Sequence, residues 1–213
     1  MTDTVDTALA FESAKLTSDQ AYKLISAAVT PRPIAWVSSR NSAGAINLAP
    51  FSSYTFISYA PPKVLISVGP GTRILKDTLV NIRATGEFCV NAVTQDLLDC
   101  VVNSAFAFPP EASEAAELRI AMTPSRLIET PFVADAAIAM ECRLDRIIDV
   151  EDLDAHRLII GTVVCFHVQP GIWTGDRIDP VLYRSLGRIG GPLYVSRGEL
   201  LNAPTPRTRP ARR

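Results

Sequence analysis

The side chains best placed to do chemistry in this sequence are hydroxyls, an amide and cations, not an acid–base pair. Asn47-Leu48-Ala49-Pro50-Phe51-Ser52-Ser53-Tyr54 sets an amide and two adjacent hydroxyls between apolar strand-like segments. Further on, Lys76-Asp77-Thr78 opens a helical pattern. The first turn of a helix leaves N–H groups without partners, and these attract anions. A lysine and a threonine at that point add a point charge and a hydroxyl, so the combination suits a phosphate. Taken alone, Ser52-Ser53 equally suits an ordinary turn, and Lys76-Asp77-Thr78 an ordinary capped helix start. Arg32, fixed between Pro31 and Pro33, either reaches the same anion or stands as a solvated turn residue.

Several other chemistries are absent from the motifs. No GxGxxG follows a strand, and Gly69-Pro70-Gly71-Thr72 lacks the GK[ST] of a Walker loop. No GxSxG elbow is present. His156 and His167 are the only histidines, too few for a multi-histidine centre, so no metal site is expected and His167 reads as a strand residue without a role. Cys89, Cys100, Cys142 and Cys165 are scattered with no CxxC pair, which fits thiols kept reduced in a cytoplasm.

Charge and composition narrow the class further. The chain has 213 residues, 47% of them hydrophobic and 20% charged, which is ordinary globular composition for one domain. The net charge is −1, but residues 202–213 hold four arginines and no acid, leaving 17 basic against 22 acidic residues in the body. An acidic body argues against nucleic acid as a partner. The first ten residues lack a basic and an apolar region, and no apolar run has the ~18 residues a membrane helix needs. A cytoplasmic protein with no membrane contact is the expectation.

The positioning elements follow from periodicity. Residues 1–17 read as a flexible arm, 18–201 as the domain, and 202–213 as a disordered basic tail. Ser18 or Asp19 can cap a helix through Ala28. Strands are expected over residues 34–39, over 45–58 with a bend at Pro50, and over 63–69 and 87–93. Between the last two, Leu75, Leu79 and Ile82 share a helix face, with Asp77 as cap and Gly86 as the left-handed stop. Thr94 can cap a helix reaching about Ser104, and residues 105–130 form an excursion with a short acidic helix. The clearest strand is 136–150. Ile138, Met140, Cys142, Leu144, Ile148 and Val150 line one face, with Glu141, Arg143, Asp145 and Asp149 on the polar one. Residues 157–169 can pair antiparallel with it. At least six strands with few long helices predict a mainly β, antiparallel barrel with peripheral helices.

The ordered pieces carry a resemblance. Pro31-Arg32-Pro33-Ile34-Ala35-Trp36-Val37-Ser38-Ser39, Asn47-Leu48-Ala49-Pro50-Phe51-Ser52, Pro61-Pro62, Lys76-Asp77-Thr78 and Gly86-Glu87-Phe88-Cys89-Val90-Asn91 follow one another as in the flavin reductase-like FMN-binding split-barrel family, of flavoredoxin type. Met140-Glu141-Cys142, Leu158-Ile159-Ile160-Gly161-Thr162-Val163 and Gly187-Arg188-Ile189-Gly190-Gly191 agree as well, so the resemblance runs over about residues 20–196. It implies a split β-barrel of antiparallel Greek-key type, usually a homodimer, with FMN near the subunit interface. On that resemblance Trp36, Val37 and Ser38 run beside the flavin ring, and Asn47, Leu48 and Ala49 line its other side. Ser52, Ser53, Lys76, Asp77 and Thr78, with Arg32 in reach, hold the ribityl phosphate.

Two positions depart from the family pattern. Ser53-Tyr54 stands where relatives often have Phe-Phe. Trp36 replaces a smaller aliphatic residue, either stacking on the ring or filling the barrel core. His156, opening a strand, stands where some flavin reductases place a histidine near the nicotinamide; otherwise it is an exposed hairpin residue. Arg184, Arg188 and Tyr194 either approach the site or pack the C-terminal segment.

Three activities follow from the resemblance. The first is an NAD(P)H:flavin reductase passing hydride from NADH or NADPH to flavin N5, then supplying a partner monooxygenase. The second is another flavin-dependent oxidoreductase acting on an organic substrate. The third is an FMN-binding electron carrier. With no Rossmann motif, nicotinamide contact is expected to lean on the flavin and on residues 105–130 as a lid.

Overall fold

The computed structural model describes residues 8–69, 76–109, 111–150, 156–196 and 198–201. The whole of the expected basic tail, the first seven residues of the arm, and the helix-face residue Leu75 lie outside these. In chain order the elements are α1 (Ser18–Ala28), β1 (Arg32–Pro33), β2 (Ala35–Arg40), β3 (Ile46–Phe51), β4 (Tyr54–Tyr59), β5 (Pro62–Val68), α2 (Asp77–Thr85) and β6 (Glu87–Ala92). There follow α3 (Leu98–Asn103), α4 (Glu114–Glu117), β7 (Met122–Thr123), β8 (Phe132–Val133), β9 (Ile138–Asp149), β10 (Arg157–Val168), β11 (Leu186–Gly190) and β12 (Leu193–Ser196).

Seven strands form one antiparallel sheet in the order β3-β2-β6-β9-β10-β5-β4. Its two edge strands, β3 and β4, are consecutive in the chain and separated only by Ser52 and Ser53. Two residues span too short a distance to cross an open sheet of seven strands, so the sheet must curl until its edges meet. No ladder joins β3 to β4. The result is the expected mainly β split barrel, closed in space and open along one seam. A smaller sheet, β1-β11-β12, lies beside it.

Alternation along β2 explains its unbroken burial. Ala35 and Val37 face the barrel interior with Phe51, Val64, Ile66, Val68, Phe88, Val90, Cys142 and Ile159, and Leu79 and Ile82 of α2 pack into the same cluster. Ile34 and Trp36 face outward into a second cluster with Leu48, Val101, Ile128, Phe132 and Val133. That outer layer comes from α3 and the excursion after it.

Local expectations change in instructive places. The cap of α1 is Thr17, one residue before Ser18, in a reciprocal box with Gln20. The N-cap of α2 is Lys76, with no side-chain cap, and Asp77 lies in its first turn; Gly86 stops the helix at φ 70° as expected. Pro50 does not bend its strand. β3 runs through it because β3 is a sheet edge, where a missing N–H loses no ladder bond, and the break comes at Ser52-Ser53 instead. Thr94 precedes a short 3-10 turn that leads into α3.

The long strand also departs from strict period two. Its register with β10 slips between Arg146 and Leu144, leaving Asp145 as a bulge residue. Beyond the bulge the faces exchange, so Ile147 packs against the core while Ile148, expected inside, is 41% exposed. Glu141, expected on the polar outer face, is fully buried beneath residues 124–130. The hairpin β11–β12 was hidden by its glycines and shortness.

The candidate site at the barrel seam

The seam gathers the residues singled out for phosphate. Ser52 and Ser53 form the crossing itself, and the Ser53 carbonyl accepts the Ser67 N–H of β5 at 2.8 Å. Arg32 is buried at 8% exposure. Its Nε donates to Ser52 Oγ at 3.3 Å, and its Nη1 is directed at the carbonyls of Ser26, Val29 and Ile189. Prolines on both sides hold this backbone extended, and the guanidinium turns inward to α1 and β11, where carbonyls accept from it. Lys76 reaches over the Phe51 ring, with its ammonium 5.3 Å from the ring centre. Burial lowers its pKa from the ordinary lysine range. Among the described residues, neither Arg32 nor Lys76 has a carboxylate within ion-pair distance. Buried and half-buried cations ordinarily find an opposite charge.

Beside them lies a buried polar set joining three elements. Asn47 Nδ2 donates to Thr78 Oγ1 at 2.9 Å and to Ser39 Oγ at 3.2 Å, and Asn81 Nδ2 donates to Ser39 Oγ at 3.3 Å. This set fixes the N-terminus of α2 against β2 and β3. Asp77 is half-buried there, and its charge lies favourably in the first turn.

The residues expected along the ring occupy deeper positions. Trp36, Val37, Ser38 and Leu48 are completely buried, and Ala49 is half-buried. Trp36 fills the outer core, donating Nε1–H to Ser104 Oγ at 2.8 Å. Ser38 donates to the Pro131 carbonyl at 2.7 Å. As an inner strand, β2 is laddered to β3 on one edge and β6 on the other. His156 immediately precedes β10, with its ring against Gly69, where an added Cβ would come 2.9 Å from Nε2. Because Gly69 follows β5, whose Ser67 meets Ser53, His156 stands at the Ser53 end of the barrel.

A cleft of about 980 Å³ lies between the sheet and the C-terminal segment. Ile34, Tyr54, Met140, Phe166, Trp173 and Tyr183 give it a mostly apolar, aromatic wall, and Arg32 is the one residue of the expected set that lines it. The cleft and the seam therefore meet at Arg32 and at Tyr54, the residue after Ser53. Burial raises the pKa of both Tyr54 and Tyr183, so both phenols stay protonated donors at neutral pH. Phe166, Trp173 and Tyr183 were missed in the sequence because their convergence depends on a fold-back that no local pattern announces. Tyr194 carries Arg188 on its ring, 4.4 Å away, and Arg184 donates to Gln95 at 2.6 Å, so these three pack the C-terminal segment.

The excursion is fastened to the barrel. Ser113 Oγ donates to the Ile46 carbonyl at 2.8 Å, and Leu48 N–H donates to Glu114 at 3.0 Å, so α4 covers the free edge of β3. None of the described residues of 105–130 lines the cleft.

Seam, cleft and sheet order together define the split-barrel class. The Flavin reductase like domain model matches residues 27–187, most of the chain, and the protein belongs to that family. It is similar over 93% of its length to nitrilotriacetate monooxygenase component B from Bacillus cereus, covering 100% of that chain with 31% identity and a TM-score of 0.88. It is similar over 95% of its length to Pseudomonas fluorescens 2-nitrobenzoate 2-nitroreductase NbaA, covering 99% of that chain with 33% identity and a TM-score of 0.86. A Shewanella frigidimarina protein with a split barrel domain shares the fold at a TM-score of 0.80 and 18% identity, over 93% of this chain and 100% of that one. Among the described residues, no helix is long and apolar enough to cross a membrane.

Proposed function

We propose that the chain is an FMN-dependent oxidoreductase of the NAD(P)H:flavin reductase type. The observation that carries this reading is the pair of cations at the seam, Arg32 and Lys76, without a described carboxylate partner, beside Ser52, Ser53 and an uncapped α2 N-terminus. Such a combination of cations, hydroxyls and helix N–H groups suits an anion. The ribityl phosphate of FMN supplies that charge, and the aromatic cleft continuous with Arg32 suits a planar ring. Ser52, Ser53, Lys76 and Arg32 would hold the phosphate, while Thr78 and Asn47 keep α2 in place beneath it. Trp36, Val37, Ser38 and Leu48 support the site from within.

When bound, the flavin supplies the hydride-accepting atom, N5, for a nicotinamide donor. The protein's own part is to bind, orient and exclude water; the step requires no side-chain acid, and His156 stands ready at the Ser53 end to contact a second ligand. A homodimer fits the exposed apolar run on edge strand β4, where Phe56 is 70% and Tyr59 88% exposed. A monooxygenase as acceptor follows the pairing in the name of the Bacillus cereus relative. A second reading, flavin-dependent reduction of an aromatic compound, is favoured by the nitroreductase relative together with the aromatic wall of the cleft.

The test is an anaerobic titration of the full chain with FMN, followed by NADH and then NADPH. Saturable binding at one FMN per chain and bleaching of the flavin bands by either nicotinamide supports the reductase. Bleaching whose turnover in air accelerates with a nitroaromatic compound favours the second reading. Binding without bleaching by either nicotinamide favours an electron carrier, and absence of binding overturns the assignment of the seam.

A further inference from the structure

A second constellation lies on the outer face of the sheet, in residues that the flavin reading does not use. Glu141 of β9 is fully buried, yet it is ionisable and faces two residues of β10 that carry metal-binding atoms. Register brings them together. Val163 pairs with Cys142 and Cys165 with Glu141, so Val164 is an extra residue, a bulge that re-aims the end of β10. Cys165 stands directly opposite Glu141. His167, two residues on, turns to the same side and places Nε2 2.5 Å from Glu141 Oε1. One donor atom from each of Glu141, Cys165 and His167 lies within 4.8 Å of the others.

The surroundings hold these donors in place. Glu141 accepts the Arg126 N–H on Oε1 at 2.6 Å and the Leu127 N–H on Oε2 at 2.7 Å. Although burial opposes the charge, these N–H groups and His167 outweigh it, and the carboxyl sits below its ordinary pKa range. The His167 ring is stacked on Phe132, with centres 4.2 Å apart and planes 23° from parallel. His167 and Cys165 are only partly buried, so these two donors are reached from solvent.

We propose that Glu141, Cys165 and His167 form a three-ligand site for a zinc-like divalent cation. Thiolate, imidazole and carboxylate together are the mixed donor set of a borderline metal, not of calcium or magnesium. Around a tetrahedral zinc with bonds of about 2.0–2.3 Å, donors stand roughly 3.3–3.8 Å apart, so the three donors lie close enough to share an ion once the 2.5 Å contact between His167 and Glu141 opens by roughly 0.8 Å. The cation takes the position of the proton between His167 and Glu141. That proton moves to Nδ1 of the neutral ring, and the Cys165 thiol releases its own proton to solvent. Two anionic donors then balance the divalent charge, and a water completes the fourth position. The backbone N–H groups of Arg126 and Leu127 act as the supporting shell that orients the carboxylate.

The experiment is a titration of the reduced full chain with Co2+, a spectroscopic stand-in, followed by displacement with Zn2+. We expect one Co2+ per chain, a near-ultraviolet thiolate-to-cobalt absorption, and apparent affinity that rises with pH as the thiol proton is lost. Cys165→Ser removes that absorption and weakens binding at least about tenfold, since disturbing even a ligand's support weakens binding by about 10–100-fold. His167→Gln weakens binding similarly while keeping the absorption at saturating metal. Cys100→Ser, at another partly buried thiol, changes neither. Metal-free melting of each variant checks that it remains folded. No thiolate absorption in the wild type, or an absorption that survives Cys165→Ser, overturns the proposal. The readout is independent of flavin, so its failure leaves the seam untouched.

Discussion

Replacing Lys76 by Met separates phosphate binding from packing at the seam. Methionine keeps an unbranched apolar stem of similar length over Phe51, so the perturbation is the loss of the ammonium. The surroundings of Lys76 set the expected magnitude. Lys76 is half-buried with no described carboxylate to share its charge, so a bound phosphate would meet it unscreened by a competing partner. A hydrogen bond to a charged group contributes about 1.5–3 kcal/mol, which corresponds to a rise of about 10- to 150-fold in the FMN dissociation constant. Riboflavin carries the same ring without the phosphate, and its affinity should stay within about twofold. Flavin fluorescence titrations of both ligands, at low and moderate salt, measure the contrast, and the FMN deficit should shrink as salt rises.

The unliganded variant adds an independent check. Burial lowers the Lys76 pKa in the folded chain, so the charge opposes folding when no anion is present. Between its folded value and the unfolded value of 10.5, the unfolded chain binds more protons, and this group's contribution to stability rises with pH. Lys76→Met should therefore melt at or above the wild-type temperature without flavin, while binding FMN less well. Equal losses for FMN and riboflavin, or a variant that unfolds more easily without ligand, would refute the reasoning.

Three further outcomes follow from packing and titration. Gly161→Ala puts a Cβ 2.3 Å from Phe88 Cζ, inside a fully buried ring, and should destabilise by at least about 1–3 kcal/mol in urea unfolding. Glu141→Gln leaves one of the Arg126 and Leu127 N–H donors without its acceptor, at a cost of about 1–3 kcal/mol, or roughly 2–4 °C of melting temperature per kcal/mol. Stability should also fall as pH rises above 9, because burial pushes the Cys89 thiol up to about 12 and raises the Cys142 thiol and the Tyr54 phenol. Those groups lose protons first in the unfolded chain, opposing Lys76. Cys89→Ala should flatten the decline measured by denaturant melts at stepped pH, and an unchanged slope would count against this cause.

The sequence showed most clearly what is local and periodic. The Gly86 stop and the antiparallel pairing of β9 with β10 depend on neighbours a few residues away and stand where expected, and alternation along β9 holds from Ile138 to Leu144. Ser52 and Ser53 were legible as a pair of hydroxyls suited to an anion, but their place as the crossing between two sheet edges was not. That role depends on the order of seven strands, which no window of sequence contains. Glu141 shows the same limit from the other side. Alternation puts it on the outer face, correctly, but its burial comes from a loop whose docking is decided by Ile128, Phe132 and Val133. The Asp145 bulge carries no composition signal, and a single extra residue there exchanges the faces of Ile147 and Ile148.

The seam explains why the candidate phosphate-binding residues collect in one place on this fold. A closed barrel leaves no unpaired edge, whereas a split one leaves two, and an exposed edge invites pairing with other chains. Here the edges are treated unequally. β3 is covered by α4, whose N-cap Ser113 and first residue Glu114 satisfy a carbonyl and an N–H that a neighbouring strand would have taken. β4 keeps its outward apolar residues exposed. Between the two edges the chain needs only Ser52 and Ser53 to cross, and short polar side chains leave room beside them. Arg32 from β1 and Lys76 from the cap of α2 approach that gap from different elements, each held there by contacts of its own. An anion bound at the seam would thus engage β1, the crossing and α2 together. That coupling predicts that a ligand bearing the phosphate should raise the melting temperature more than one presenting the ring alone.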